Sequence, residues 1–143
     1  MSLRQESFTT FEAAEKLGVR IERLRDWVNR KYIVPDLQQA SGRGTKGLFS
    51  RIGLYEIALF DHLLACGINR DVVKAMIALV KSHEVIKGDS PDFILHARVS
   101  EDDGWGTAWG SDKPLPIKDL GRYEDVYILN FSKIRKAVDE LLQ

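Results

Sequence analysis

Apolar residues near the N-terminus recur at the three- and four-residue spacing of helices. Residues 9–12, Thr-Thr-Phe-Glu, form a capping-box pattern that predicts a helix start, and Gly18 supplies the left-handed residue that ends this first helix. A second helical pattern begins after Val19, and its apolar positions share one face: Ile21, Leu24, Trp27 and Val28. Two short helices joined by a tight glycine turn predict a helix-turn-helix.

The central part of the chain predicts a hairpin and two more helices. Pro35 ends the second helical region, and the polar, glycine-rich residues 36–50 favour a two-stranded hairpin with its tip near residues 42–47. Ser50 can cap a third helix, whose predicted apolar stripe is Leu54, Ile57, Ala58, Leu64 and Ala65. Gly67 ends it, and Asn69 caps a fourth helix whose inward positions are Val72, Val73, Met76, Ile77 and Val80.

The last sixty residues carry shorter and more varied patterns. Residues 92–99 and 126–129 predict strands, residues 101–112 predict a glycine-containing loop, and residues 131–142 predict an amphipathic helix with Ile134, Val138 and Leu141 on one side. The fold class is therefore mainly α with small β elements. The domains are residues 8–83 and an α+β extension, residues 84–143.

The charged residues are distributed unevenly, although 21 Lys and Arg balance 21 Asp and Glu. Residues 1–83 contain 13 basic and 9 acidic residues, whereas residues 84–143 contain 8 and 12. Residues 16–51 contain 9 basic and 3 acidic residues, a net charge of +6. Such a local excess suits a polyanion-binding face, and the alternative is a solvated basic surface.

The remaining composition narrows the class of protein. The apolar runs are shorter than the roughly 18 residues of a membrane span, and no secretory leader pattern opens the chain. A single cysteine, Cys66, excludes an internal disulfide framework, and we expect a cytoplasmic protein. Cys66 and His62 share a helical face, but two ligands are too few for a metal site. No catalytic set of side chains is evident, so we expect neither an enzyme nor a cofactor.

The stretch GRGTKG at residues 42–47 fits the pattern G-x-G-x-x-G. A dinucleotide-binding turn needs a preceding apolar strand and a helix that starts within the motif. Residues 36–41 are too polar for a buried strand, and the next helix starts only after Ser50. A kinase glycine loop is excluded because no H-R-D or D-F-G motif follows. The glycines therefore fit a hairpin turn better than a nucleotide site.

Residues 18–27, GVRIERLRDW, followed by YIVP at residues 32–35, resemble the MerR family of bacterial transcription regulators. The family motif is roughly G-V-S-x-x-T-L-R-Y-[YW]-E-R-x-G-L-L-x-P, and this chain aligns with it without a gap. Residues 43–50 and 66–68 resemble the family's wing and its later glycine turn. The resemblance covers residues 8–80. The chain departs from the family pattern at five places: Arg20, Lys31, Phe49, Gly53 and the long dimer helix expected after His83.

The resemblance implies a sequence-specific regulator that binds double-stranded DNA through a winged helix-turn-helix. It implies a homodimer on a palindromic operator, with the recognition helix at about residues 20–31 and the wing at about 36–49. RNA polymerase at the promoter and a small-molecule effector are further implied partners. The C-terminal helix is our substitute candidate for the dimer contact. The alternatives are a winged-helix protein–protein interaction module and an architectural, excisionase-like DNA binder.

The residue types support particular DNA contacts within this framework. Arg20 and Arg23, at the start of the recognition helix, can pair with guanine, and Arg25 is a candidate phosphate clamp. Three further basic residues suit phosphate contacts: Arg43, Lys46 and Arg51. Asp26 or Glu22 could accept a hydrogen bond from a cytosine amino group; the alternative for both is a solvated acidic face.

Residues 102–109, DDGWGTAW, are the most unusual part of the C-terminal extension. Trp105, Trp109 and Asp103 could form a cage for a cationic or aromatic effector. The alternative is structural, with the two tryptophans covering the small sheet from a long loop.

Overall fold

The computed structural model describes residues 6–42, 44–82, 93–98, 105–110 and 125–143, and side chains within 6–42, 44–78 and 130–143. The described part is mainly helical, with five helices and two small antiparallel sheets. The elements are, in order: β1 (Phe8–Thr9), α1 (Thr10–Leu17), α2 (Ile21–Asn29), β2 (Leu48–Phe49), α3 (Arg51–Ala65), α4 (Arg70–Ser82), β3 (Phe93–Arg98), β4 (Trp105–Gly110), β5 (Asp125–Asn130) and α5 (Phe131–Leu141).

The start of α1 confirms the predicted capping box. The Thr9 hydroxyl accepts from the Glu12 amide at 3.1 Å, and the Glu12 carboxylate accepts from the Thr9 amide at 3.1 Å. Gly18 ends the helix with a φ of 68°, in the left-handed region that glycine adopts without strain. The turn of residues 18–20 leads directly into α2, which packs against α1.

α2 is shorter than the predicted 20–31, because it ends at Asn29. Lys31 has a φ of 62°, the one positive φ found for a non-glycine residue in the described chain. The left-handed conformation reverses the backbone, and the Tyr32 and Ile33 amides then donate to the Trp27 carbonyl at 2.9 and 3.2 Å. Lys31 thus takes the backbone conformation of the glycine that the family resemblance places there.

The hairpin predicted for residues 36–50 is wrong in its strand pairing. β2 pairs antiparallel with β1, with Phe8 opposite Phe49, and across the loop the described residues form one bridge, between Gln38 and Leu48. The Leu48 amide donates to the Gln38 carbonyl at 2.8 Å, and the Gln38 side-chain amide donates to the Lys46 carbonyl at 2.8 Å. The segment is therefore a loop closed at its base, which we call the wing loop (residues 38–48).

Ser50 caps α3 as predicted, with help from Asp36. The Ser50 hydroxyl accepts from the Gly53 amide at 3.3 Å, while the Asp36 carboxylate accepts from both the Ser50 amide and the Ser50 hydroxyl. The predicted stripe is right at Leu54 and Ile57 and wrong at Ala65, which is exposed. The fully buried positions further along are instead Leu59, Phe60 and Leu63. Cys66 caps the C-terminal end of α3, and Gly67 follows with a φ of 87°.

α4 follows the predicted pattern within its described side chains. The Asn69 carboxamide oxygen accepts from the Asp71 amide at 2.8 Å, and the side chains of Val73, Met76 and Ile77 are buried. The side chain of Val80 lies outside the described part. Of the described helices, none is long and apolar enough to cross a membrane.

The C-terminal strands form a three-stranded antiparallel sheet in the order β4-β3-β5. The loop predicted for residues 101–112 is wrong over residues 105–110, which are β4 and pair with β3 in the register Trp105 opposite Arg98. The two strands that flank this segment in sequence are confirmed as β3 and β5. Along β4, two tryptophans and a threonine alternate with glycine and alanine, and this period of two is compatible with a strand. The glycines led to the prediction of a loop, because glycine disfavours strands.

The C-terminal helix α5 belongs to the same core as the helices of the first 80 residues. Its Phe131 and Val138 are buried, and the helix packs against α1 and α3. Leu141, predicted on the same side of the helix as Ile134 and Val138, is 51% exposed. Because the apolar side of α5 is used inside the chain, α5 is poorly suited to the dimer contact that we assigned to it from the sequence.

Candidate nucleic-acid interface

The buried side of α2 fixes which of its residues face outward. Leu24 is fully buried, and Trp27 packs edge-on against Phe60 of α3 with ring centroids 4.8 Å apart. The residues on the remaining sides are polar and exposed or half-exposed, including Arg20, which precedes the helix and forms no side-chain cap. α2 therefore presents a polar surface about two turns long.

One side of α2 carries basic residues that are paired with carboxylates. Arg23 lies 3.9 Å from an Asp61 oxygen and 5.1 Å from the centre of the Trp27 ring. Asp26 accepts from Arg30 at 2.8 Å and lies 3.6 Å from Arg70 of α4. Charge is thus largely balanced where α2 meets α3 and α4, and Asp26 is bound to arginines rather than open to a base.

Tyr32 continues this balanced side beyond the end of α2. Its hydroxyl donates to Asp71 at 3.1 Å, and two cations of α4 lie over its ring, Arg70 at 5.6 Å and Lys74 at 5.8 Å. The contacts fix the start of α4 against the residues that follow α2.

Three other basic residues at or beside α2 have no carboxylate partner among the described side chains. Arg20, Arg25 and Lys46 are exposed, and none forms an ion pair with any residue for which side chains are described. Arg25 and Lys46 line one cleft of about 300 Å³, together with the start of α1 and with Gly47. We call this cleft, lined by Thr9, Thr10, Phe11, Arg25, Lys46 and Gly47, the α1–wing cleft.

The glycines of the wing loop serve different purposes. Gly42 and Gly44 have φ values of 77° and 87°, so they supply the left-handed turns of the loop. Gly47 instead lies so close to Pro35 that an added Cβ would stand 2.9 Å from the proline Cγ. This contact holds Lys46 next to the start of α1. Arg43 lies outside the described residues.

A second, larger cleft lies on the other side of Gly47. It has a volume of about 480 Å³ and lies between the end of α2 and the loop after Pro35, and Asn29, Val34 and Gln39 are among its lining residues. Val34 is 37% exposed. The cleft continues the surface of α2 toward the wing loop.

Arg51 is bound to carboxylates rather than grouped with the other predicted phosphate contacts. Its guanidinium donates to Glu6 at 2.7 and 2.8 Å and to Asp139 of α5 at 2.9 Å. The hydrogen bond from Arg51 lowers the pKa of Glu6, and the same contacts raise the pKa of Arg51. Burial, followed by its hydrogen bond to Asp139, raises the pKa of the Tyr55 hydroxyl.

The candidate metal ligands Cys66 and His62 gain no third ligand among the described residues, and the side chains of the candidate effector residues lie outside them. Cys66 Sγ lies 3.8 Å from His62 Nε2, and among the described residues no group of three or more metal-ligating side chains comes together. Trp105 and Trp109 lie in β4, opposite Arg98 and Ile94. Their side chains, and the whole of Asp103, lie outside the described part of the chain.

Three residues beside the predicted site were missed from the sequence, of which Asn29 and Phe11 are exposed and Thr10 is half-buried. Asn29 ends α2 and lines the larger cleft, while Thr10 and Phe11 begin α1 and line the α1–wing cleft. Asn29 carries an amide of the kind that pairs with adenine, which is a signal that the sequence contained. Phe11 is 58% exposed, although the helical pattern gave no indication that α1 would begin beside the wing loop.

Comparison of the chain with protein-family models and with curated proteins finds no match in either set.

Proposed function

We propose that this chain is a sequence-specific, double-stranded-DNA-binding transcription regulator with a winged helix-turn-helix domain. In this proposal α2 enters the major groove and the wing loop lies along the adjacent sugar–phosphate backbone. The observation that carries the proposal is the uneven pairing of charge around α2. The side toward α3 and α4 is balanced by carboxylates, whereas Arg20, Arg25 and Lys46 are exposed and have no carboxylate partner among the described side chains.

Exposed cations without carboxylate partners among the described residues are suited to contacts with a phosphate backbone. Each phosphate that they neutralise releases condensed counterions, which supplies much of the affinity for DNA. Arg25 of α2 and Lys46 of the wing loop line one cleft, and Gly47, next to Lys46, packs closely against Pro35. Both therefore suit contacts that position the protein on the duplex rather than read its sequence.

We assign recognition of the DNA bases to residues at the two ends of α2. Arg20 stands at its N-terminal end, where an arginine can donate two hydrogen bonds to guanine, and Asn29 stands at its C-terminal end, where an amide can pair with adenine. Arg23 remains a base-edge candidate, because an exposed ion pair such as that with Asp61 stabilises by only about 0–1 kcal/mol. The MerR resemblance supports a homodimer on a palindromic operator.

The experiment that tests the proposal is selection of bound sequences from a random duplex library, followed by fluorescence anisotropy with the recovered sequence. We expect enrichment of a two-fold symmetric site. Arg20→Ala should relax preference at one base pair by about 1–3 kcal/mol, and Arg25→Ala should weaken binding to all duplexes alike. A pool without any enriched sequence, or equal binding by both variants and the original protein, would refute the proposal.

A further inference from the structure

The start of α1 places an aromatic ring and a hydroxyl in the cleft that Arg25 and Lys46 also line. Thr10 is the first residue of α1 and Phe11 the second, and both line the α1–wing cleft with Arg25 and Lys46. Phe11 is 58% exposed, the most exposed large apolar side chain among those described. A single exposed apolar residue needs no explanation by itself. Its position beside two cations and a hydroxyl is the feature that points to a ligand.

The Thr10 hydroxyl is available to a ligand. The capping of α1 uses Thr9, whose hydroxyl accepts from the Glu12 amide, whereas the Thr10 hydroxyl makes no hydrogen bond to a described residue. Thr10 Oγ1 faces the wing loop, since it would lie 3.7 Å from a Cβ added to Gly47. One uncharged donor therefore stands beside the Lys46 side of the cleft.

The combination matches one unit of a sugar–phosphate chain. Two cations and a hydroxyl are donors for phosphate oxygens, and the flat apolar face of a phenylalanine can cover the C–H surface of a deoxyribose. The cleft, at about 300 Å³, is at the lower end of the ~300–1,000 Å³ range of small-ligand clefts. It is therefore suited to a single backbone unit rather than to a base and its sugar together.

We propose that the α1–wing cleft seats one nucleotide of the DNA backbone, with Thr10, Arg25 and Lys46 on its phosphate and the Phe11 ring against its deoxyribose. This inference rests on the proposed DNA-binding function and deepens it. It makes the start of α1 a third part of the interface, beside α2 and the wing loop. The contact with the sugar distinguishes a DNA backbone from a free anion.

The test compares Phe11→Ala and Thr10→Val with the original protein in duplex binding. The matched control is Leu141→Ala, which removes another exposed apolar side chain, 51% exposed, from α5. We expect Phe11→Ala to weaken duplex binding about fivefold and Thr10→Val about threefold. Leu141→Ala should bind like the original protein. Thermal unfolding should show that all three variants are folded, because each changed side chain is at least partly exposed.

A scan with single methylphosphonate substitutions shows whether these residues share one nucleotide. Neutralising one particular phosphate should weaken the original protein and should also abolish the further losses caused by Thr10→Val and Lys46→Ala, because both side chains are assigned to that phosphate. If no phosphate position shows this non-additivity, the proposal that these residues contact a single nucleotide is wrong. Inorganic phosphate that displaces the duplex from the original protein but not from Thr10→Val would assign the cleft to a free anion, and so overturn the inference.

The two proposals fail in different ways. If the original protein binds no duplex at any salt concentration, the proposed function is wrong. If it binds a duplex with the expected salt dependence but Phe11→Ala and Leu141→Ala behave alike, only the inference about the cleft is wrong.

Discussion

The start of α3 offers a sharp prediction, because a side chain introduced at position 53 would need the space that the Asp36 side chain occupies. An alanine Cβ at position 53 would stand 2.3 Å from Asp36 Oδ1 and 3.1 Å from Phe49 Cδ1. The Asp36 side chain can rotate away, but it then loses its hydrogen bonds to the Ser50 amide, at 2.9 Å, and to the Ser50 hydroxyl. Gly53→Ala therefore introduces a residue with a better helix propensity but weakens the start of α3.

The magnitudes decide the sign of the effect. Two hydrogen bonds of about 1 kcal/mol each are lost, while alanine gains about 0.5–1 kcal/mol over glycine in a helix. We expect Gly53→Ala to lower the free energy of unfolding by about 1 kcal/mol, a fall in Tm of about 3 °C. In an Asp36→Ala background the hydrogen bonds are already absent, so the same change should be neutral or slightly stabilising.

Urea unfolding followed by tryptophan fluorescence measures all four proteins of this double-mutant cycle. The expected coupling between positions 36 and 53 is about 2 kcal/mol. A Gly53→Ala variant that is more stable than the original in both backgrounds would show that Asp36 moves at no cost. Equal destabilisation in both backgrounds would instead assign the effect to Phe49.

Three further predictions concern single positions. Lys31→Gly should stabilise by about 0.5 kcal/mol, because glycine relieves the positive φ of 62° at some entropic cost; thermal unfolding measures this. Gly47→Ala should destabilise by about 1–3 kcal/mol, since the Pro35 ring cannot swing away, and should speed amide exchange in the wing loop. Glu6→Gln should be less stable than the original at pH 7. Arg51 lowers the Glu6 pKa, so this difference should shrink as the pH falls below 4.5; chemical unfolding at several pH values checks it.

Short-range patterns in the sequence were sufficient to predict the helices of the first 80 residues. The capping box at Thr9, the left-handed Gly18 and the Ser50 cap depend on residues within three or four positions of one another, so the sequence itself contains the interaction. The buried face of α2 followed from spacing for the same reason. Lys31 was the exception, because its left-handed conformation is unusual for a residue with a long side chain.

The strand pairings and the long-range ion pairs could not be predicted in this way. β1 contains two residues, and its existence depends on β2, which lies about forty positions away. Arg51 reads as a phosphate contact in the sequence, yet its carboxylate partners are 45 and 88 positions distant, at Glu6 and Asp139. β4 was missed for a local reason, because its two glycines disfavour a strand until pairing with β3 compensates.

The candidate site was predictable as a set of residue types and not as an arrangement. The +6 charge of residues 16–51 was visible, but which arginines are paired depends on α3 and α4. The convergence of Arg25 with Lys46 depends on Gly47 packing against Pro35. Within this basic region, the structure thus brings Arg25 and Lys46 together in one cleft and places Arg20 at the start of α2.

The most direct test of the central claim is the salt dependence of duplex affinity for three proteins: the original, Arg25→Ala/Lys46→Ala and Lys133→Ala/Lys136→Ala. Both double variants remove two exposed positive charges, but Lys133 and Lys136 lie on α5, away from α2. We expect the slope of log K against log salt to fall by about 2 for the first variant and to stay unchanged for the second. Equal slopes for all three proteins would contradict the assignment of this surface to DNA.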